Sequence, residues 1–206
     1  NVQSAQLGRD ALSKSVQAGM IAFVIIVLFL LFVYRVPGLA AGFALLSYVE
    51  LMLLALNGFD LTLTLPGIAG IILNIGMAVD ANVIIYARIR EEIAAGKSVK
   101  NAITIGFKKA TSAIVDGNVT TLIAALVLLW RGSGTVQGFA MTLAIGIFIQ
   151  LFTSLVVSRG IVWMLYYMGF QKPGFYGKER AKNVIKFVEK RKVWFTISIV
   201  VIVIGL

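Results

Sequence analysis

The chain has 206 residues, of which 59% are hydrophobic and 14% charged, and it carries a net charge of +10; its mean hydropathy is +0.94. That balance lies outside the range of soluble domains and marks a membrane protein. Cysteine and histidine are both absent. This excludes disulfides, thiolate chemistry and Ser-His or Cys-His nucleophile pairs, and removes the usual ligands of zinc and haem, so no metal or cofactor site is expected.

Residues 1–15 are polar without the layout of a signal peptide and read as an extracytoplasmic linker. Five apolar stretches then follow, each long enough to cross a bilayer: 16–34, 38–56, 66–87, 113–130 and 136–158. The fold class is therefore all-α, a polytopic transmembrane bundle, with a membrane domain over 16–168. Pro37-Gly38 and Asn57-Gly58 close the first two spans, and Pro66 opens the third at a position suited to a helix start. Between spans three and four, 88–112 alternates Ile93, Val99, Ile103 and Phe107 with lysines. It predicts a helical hairpin lying at the membrane surface and broken at Gly96. Trp163, Tyr166 and Tyr167 form an aromatic belt after span five. A basic linker covers 169–192, and a sixth apolar run begins at Val193 and stops at Leu206, short of the roughly 20 residues a span requires. The expectation is a piece of a larger chain, beginning after one domain and ending inside the next.

The positive charge does not point to nucleic acid. Most of it lies in two blocks, 88–109 and 172–192, between apolar spans. Such blocks mark cytoplasmic loops and attract anionic lipid. Alternation puts 35–37, 88–112 and 169–192 on the cytoplasmic side and residue 1 on the opposite side.

Asp80 is the informative residue. It sits inside the third span, where a carboxylate costs about 2.5–3.5 kcal/mol on insertion scales, and an ionisable group so placed is by default a candidate for proton or ion handling. On a helical wheel Ala69, Leu73, Gly76, Ile84 and Ala87 fall within about 40° of it, while Asn74, Ala78 and Asn82 share another face. Span three therefore has two packing faces and should be central. Gly76 lets another backbone approach Asp80. In span five Gly138, Thr142, Gly146, Gln150, Ser154 and Ser158 recur every four residues as a ridge for close helix contact, with Gln150 the polar residue to watch. In span four, Asp116 is read as capping the helix start or sitting at its positive end, and Asn118 and Thr121 as reaching towards span three. Glu50, deep in span two, has no assigned partner. No basic residue lies deep in a span, so Asp80 has no counter-ion at its own depth.

The runs TLTLPGIAGIILNIGMAVDANVIIYARIREEI (62–93), AIVDGNVTTLIAALVL (113–128) and GFAMTLAIGIFIQLFTSLVVSR (138–159) resemble the membrane portion of the SecD family, one half of the SecD/SecF accessory complex of bacterial Sec export. The run GMAVDANV is far more specific than a generic buried acid. The resemblance implies half of an RND-type pseudo-symmetric architecture in the cytoplasmic (inner) membrane, with a first span and a large periplasmic domain ahead of Asn1. The tail 186–206 is similar to the opening of SecF, as in a fused SecDF. The partners implied are SecF, SecYEG, YajC and YidC, a secreted preprotein as client, and lipid. The coupling ion implied is H+ or Na+, with Asp80 matching the family's transmembrane acid; to this the residues around it add that Asp80 should face the SecF half through Gly76 and Ala87. Three other readings stand beside this one. The first is a different RND-type exporter of lipids or small molecules. The second is an intramembrane aspartyl protease pairing Asp80 with Asp116, against which stands an expected mismatch in height. The third is a purely structural assembly subunit.

Overall fold

The computed structural model describes residues 2–61, 64–177, 194–196, 198, 199, 201 and 203, with the side chains of 2–12 left aside. The described residues are helical apart from short turns. Five helical segments are long and apolar enough to cross a membrane.

Helix α1 spans Val2–Tyr34, so the polar segment ahead of the first span continues its helix. Arg35, at φ 55, turns the chain directly into α2, Val36–Gly58. A Cβ on Gly38 would lie 2.2 Å from the Leu30 carbonyl oxygen, so the turn closes this tightly only with glycine there. Helix α3, Leu65–Ala94, opens with Pro66 in its first turn and Thr64 as N-cap, whose Oγ1 accepts from Gly67 N at 3.1 Å. Ser98 caps α4, Val99–Arg131, through Asn101 N. Helix α5, Thr135–Phe152, passes through a π-helical turn at Thr153–Val157 into α6, Ser158–Tyr167. A short 3-10 turn, Pro173–Tyr176, follows. The remainder of the basic linker and most of the expected SecF-like start lie outside the described residues.

Helix α3 is the hub, packing most extensively on α5 and α4. At its C-terminal end the largest core cluster joins Leu30, Tyr34, Leu45, Ile85, Tyr86, Ile89, Phe107, Val162 and Tyr176 from the surrounding helices. The 88–112 hairpin exists, and Gly96, at φ 85, is its break. Its apolar residues do not seek the membrane surface. Val99, Ile103 and Phe107 are buried in that same cluster, with Ile93 packed against it. The reason is the close crossing of α3 and α4. A Cβ on Gly106 would meet Ile89 N at 2.9 Å, so the two helices zip together and use the apolar face for each other.

Helix α3 has 30 residues, about 45 Å of helix against a hydrocarbon core of about 30 Å. Its last turns project beyond the core, and Glu92 sits there, 6% exposed. Its Oε1 accepts from Lys109 Nζ at 2.6 Å and its Oε2 from Lys97 Nζ. These hydrogen bonds, Lys109 first and then Lys97, hold the Glu92 carboxyl below the usual glutamate range. A lowered folded-state value means that the contribution to stability is present above the ordinary glutamate value, about 4.3. It is lost as pH falls through the lowered one. Amide exchange protection of the hairpin should therefore weaken below about pH 4 in the native chain. Glu92→Gln should show the weakened protection already at neutral pH, with little further loss on acidification. Equal protection of both proteins at neutral pH would show that the bridge contributes nothing.

Candidate functional site

Two polar environments lie on nearly opposite faces of α3. The first is open. Asp80, Met77, Ala81 and Ile84 of α3 and Ala113, Ile114, Gly117 and Asn118 of α4 line a groove of about 170 Å³. Asp80 is exposed, as are Ala69, Leu73, Gly76 and Ile84 along the same stripe, while Ala87 is half-buried. Among the described residues nothing lies within 4 Å of a Cβ placed on Gly76 or Gly117. Asp80 makes no ion pair or hydrogen bond among them either. A carboxylate bordered by small and apolar residues on a bare helix face can exchange a proton or a small cation with whatever covers it.

The second environment is closed. Asn74, Ala78 and Asn82 are buried. Asn74 Nδ2 donates to Gly70 O at 3.0 Å and lies 3.4 and 3.3 Å from the Thr142 and Leu143 carbonyl oxygens of α5. Asn82 Nδ2 donates to Ala78 O, and Tyr86 Oη lies 2.7 Å from Ser158 Oγ. The contact is tight because the four-residue row of α5 faces it. A Cβ on Gly70 would stand 2.6 Å from Thr142 Oγ1, and one on Gly146 2.2 Å from Asn74 Nδ2. Gln150, Ser154 and Ser158 continue the row and are fully buried.

Span four departs from expectation. Asp116 does not cap a helix, because α4 begins at Val99 and no proline interrupts it. Asp116 is exposed within the helix, its Oδ2 accepting from Ser112 Oγ at 3.3 Å. Nor is it at a different height from Asp80. Gly117 and Ala113, on either side of it in sequence, line the Asp80 groove. Asp80 lies eight residues before Arg88 and Asp116 seven after Lys109, so both basic flanks set the same depth. Asp116 itself is not among the lining residues, and the two carboxylates share no hydrogen bond. Asn118 lines the groove but donates to Ile114 O of its own helix, and Thr121 Oγ1 donates to Gly117 O. Neither hydrogen-bonds to α3. Glu50 is exposed on α2. Tyr48 had no expected role. It is fully buried beside Gly146, and a lone tyrosine in the middle of an apolar span was the signal available.

The profile of the family described as protein export membrane protein SecD/SecF, C-terminal, matches residues 2–168. The chain belongs to this SecD/SecF family. It is 48% identical over 172 residues to the protein translocase subunit SecD of Acidaminococcus fermentans, covering 83% of this chain and 41% of that protein. It is 48% identical over 161 residues to the same subunit of Synechocystis, covering 78% and 34%. The crystal structure of SecDF from Thermus thermophilus, described as a translocon-associated membrane protein, superposes with a TM-score of 0.84 at 35% identity, covering 95% of this chain and 27% of that one. A super-membrane-facing form of SecDF gives 0.82 at 36% identity, covering 95% and 26%. The chain thus spans less than half the length of these SecD relatives. Its fold is the all-α membrane bundle of SecDF.

The closed face of α3 has a direct test. Gly146→Ala puts a methyl group where Asn74 and Tyr48 already sit, and overpacking of this kind costs about 1–3 kcal/mol. Gly160→Ala, in a helical position with open space around it, should gain up to about 1 kcal/mol from helix propensity. Thermal unfolding in detergent should separate the two variants in opposite directions.

Proposed function

We propose that this chain is the ion-coupling membrane part of a Sec export subunit. In this reading a proton or sodium gradient drives movements that promote late steps of preprotein translocation through SecYEG. Asp80 gains and loses the ion. The SecF half, fused or separate, covers the open α3–α4 face. The basic loops 35–37, 88–112 and 169–192 face the cytoplasm and meet anionic lipid. The subunit is a transport component rather than an enzyme.

The observation that carries this reading is the Asp80 carboxylate standing free on a bare helix face inside a membrane-spanning segment. A structural aspartate at that depth would be expected to hydrogen-bond across a helix contact, as Asn74 does. Moving one charge across the membrane is worth about 2.3 kcal/mol per 100 mV, enough to bias two arrangements of a helix pair when it is coupled to them. An aspartyl protease would need two carboxylates sharing a proton. Asp116 is at the required depth but outside the groove and engaged with Ser112.

The test is gradient-stimulated export in vesicles carrying the full-length parent. Asp80→Asn keeps size and hydrogen bonding but cannot titrate, and it should abolish the stimulation while the protein still assembles. Asp116→Asn should retain it. Full stimulation with Asp80→Asn would reduce Asp80 to a structural residue. Loss with Asp116→Asn as well would bring both carboxylates into the mechanism.

A further inference from the structure

The inner face of α3 holds more polar groups than its hydrogen bonds use. Tyr48 Oη, Asn74 Oδ1, both polar atoms of the Gln150 amide and Ser154 Oγ are buried and have no hydrogen-bond partner among the described residues. All four residues are 0% exposed. They are also neighbours. Asn74 Nδ2 and Tyr48 Oη both pack against Gly146, 2.2 and 2.9 Å from where its Cβ would stand. Gln150 follows Gly146 by one helical turn, and Ser154 follows Gln150 by another. The row then ends at Ser158, hydrogen-bonded to Tyr86. Helix α5 and its continuation are thus tied to α3 at Asn74 and at the Tyr86–Ser158 pair, and Gln150 and Ser154 fall between these two points in sequence.

We propose that Tyr48, Asn74, Gln150 and Ser154 bind a short file of buried water, running along the inner face of α3 towards the Tyr86–Ser158 pair. Buried polar atoms left without partners are strongly unfavourable, more so where lipid surrounds the protein. Ordered water is the usual partner in polar interior sites that offer two to four contacts per molecule. The chemistry of the lining selects water over an ion. A carboxamide and two hydroxyls present donors and acceptors together, which suits a molecule that both gives and takes hydrogen bonds. None of the four residues carries a charge, so an ion buried among them would stand unpaired. The π-helical turn is consistent with this assignment, because such turns are frequent at functional sites, and this one contains Ser154. The file is separate from the Asp80 groove, lies on the other side of α3, and does not depend on the ion-coupling reading.

The experiment is water-edited solid-state NMR on the full-length parent in lipid bilayers. Magnetisation should pass from water to the side-chain amides of Gln150 and Asn74 at rates near that of the exposed Asn57 side chain. Transfer no faster than to the buried Ile147 methyl groups would overturn the proposal. Gln150→Leu gives a second reading through its sign. A hydrated site loses partners for Tyr48 and Asn74, and the melting temperature falls. A dry site sheds an unpartnered amide, and the melting temperature rises. If Gln150→Leu does not accumulate, the transfer measurement on the unmodified protein decides alone.

Discussion

Lipid offers no hydrogen bonds, so each polar side chain of a spanning helix must find its partner in protein or in water that protein encloses. Helix α3 carries this requirement on two opposite faces. Asn74 reaches the carbonyl groups of α5 and Asn82 is buried on the same side, while Asp80 lines a groove with α4. A helix polar on one side can sit at the rim of a bundle with its other side in lipid. A helix polar on both sides suits a central place, with protein over both faces.

The remaining helices follow from that demand. Helix α5 approaches α3 closely enough to bring its carbonyl groups to Asn74 because Gly138, Thr142 and Gly146 keep the contact small. A four-residue repeat overshoots a 3.6-residue turn by about 40° at each step, so a straight α-helix would rotate the end of the row out of the contact. The wider π-helical turn at Thr153–Val157 takes back part of that rotation, and Ser158 still reaches Tyr86. Helix α4 is joined to α3 by the hairpin, locked by the Gly106–Ile89 crossing and the Glu92 bridge. Together they fix one wall of the Asp80 groove while leaving its mouth uncovered.

Much of this was legible in the sequence. The wheel around Asp80 separated the exposed stripe of Leu73, Gly76 and Ile84 from the buried Asn74, Ala78 and Asn82, because a regular helix makes angular position a direct reading of residue number. The row in span five was legible for the same reason. What failed depended on where helices begin and what they meet. Asp116 looked like a helix start because the apolar stretch starts there, but the hairpin helix runs through it without a break. The Ile93, Val99, Ile103 and Phe107 face was amphipathic as expected, yet amphipathic spacing does not say whether the apolar side meets lipid or another helix; Gly106 decided it. Tyr48 was missed because its role lies in a contact with Gly146, roughly a hundred residues later in the chain.

The central claim is that α3 offers its Asp80 face, and not its Asn74 face, to the other half of the complex. Single cysteines can be placed along α3 of the full-length parent, since this chain has none of its own, and paired with cysteines in the SecF half under oxidising conditions. Positions 73, 76 and 84 should form cross-links, while 74, 78 and 85 should not. Cross-links at 74 or 78 with none at 76 would mean that the bare face meets lipid, and that Asp80 has some other purpose.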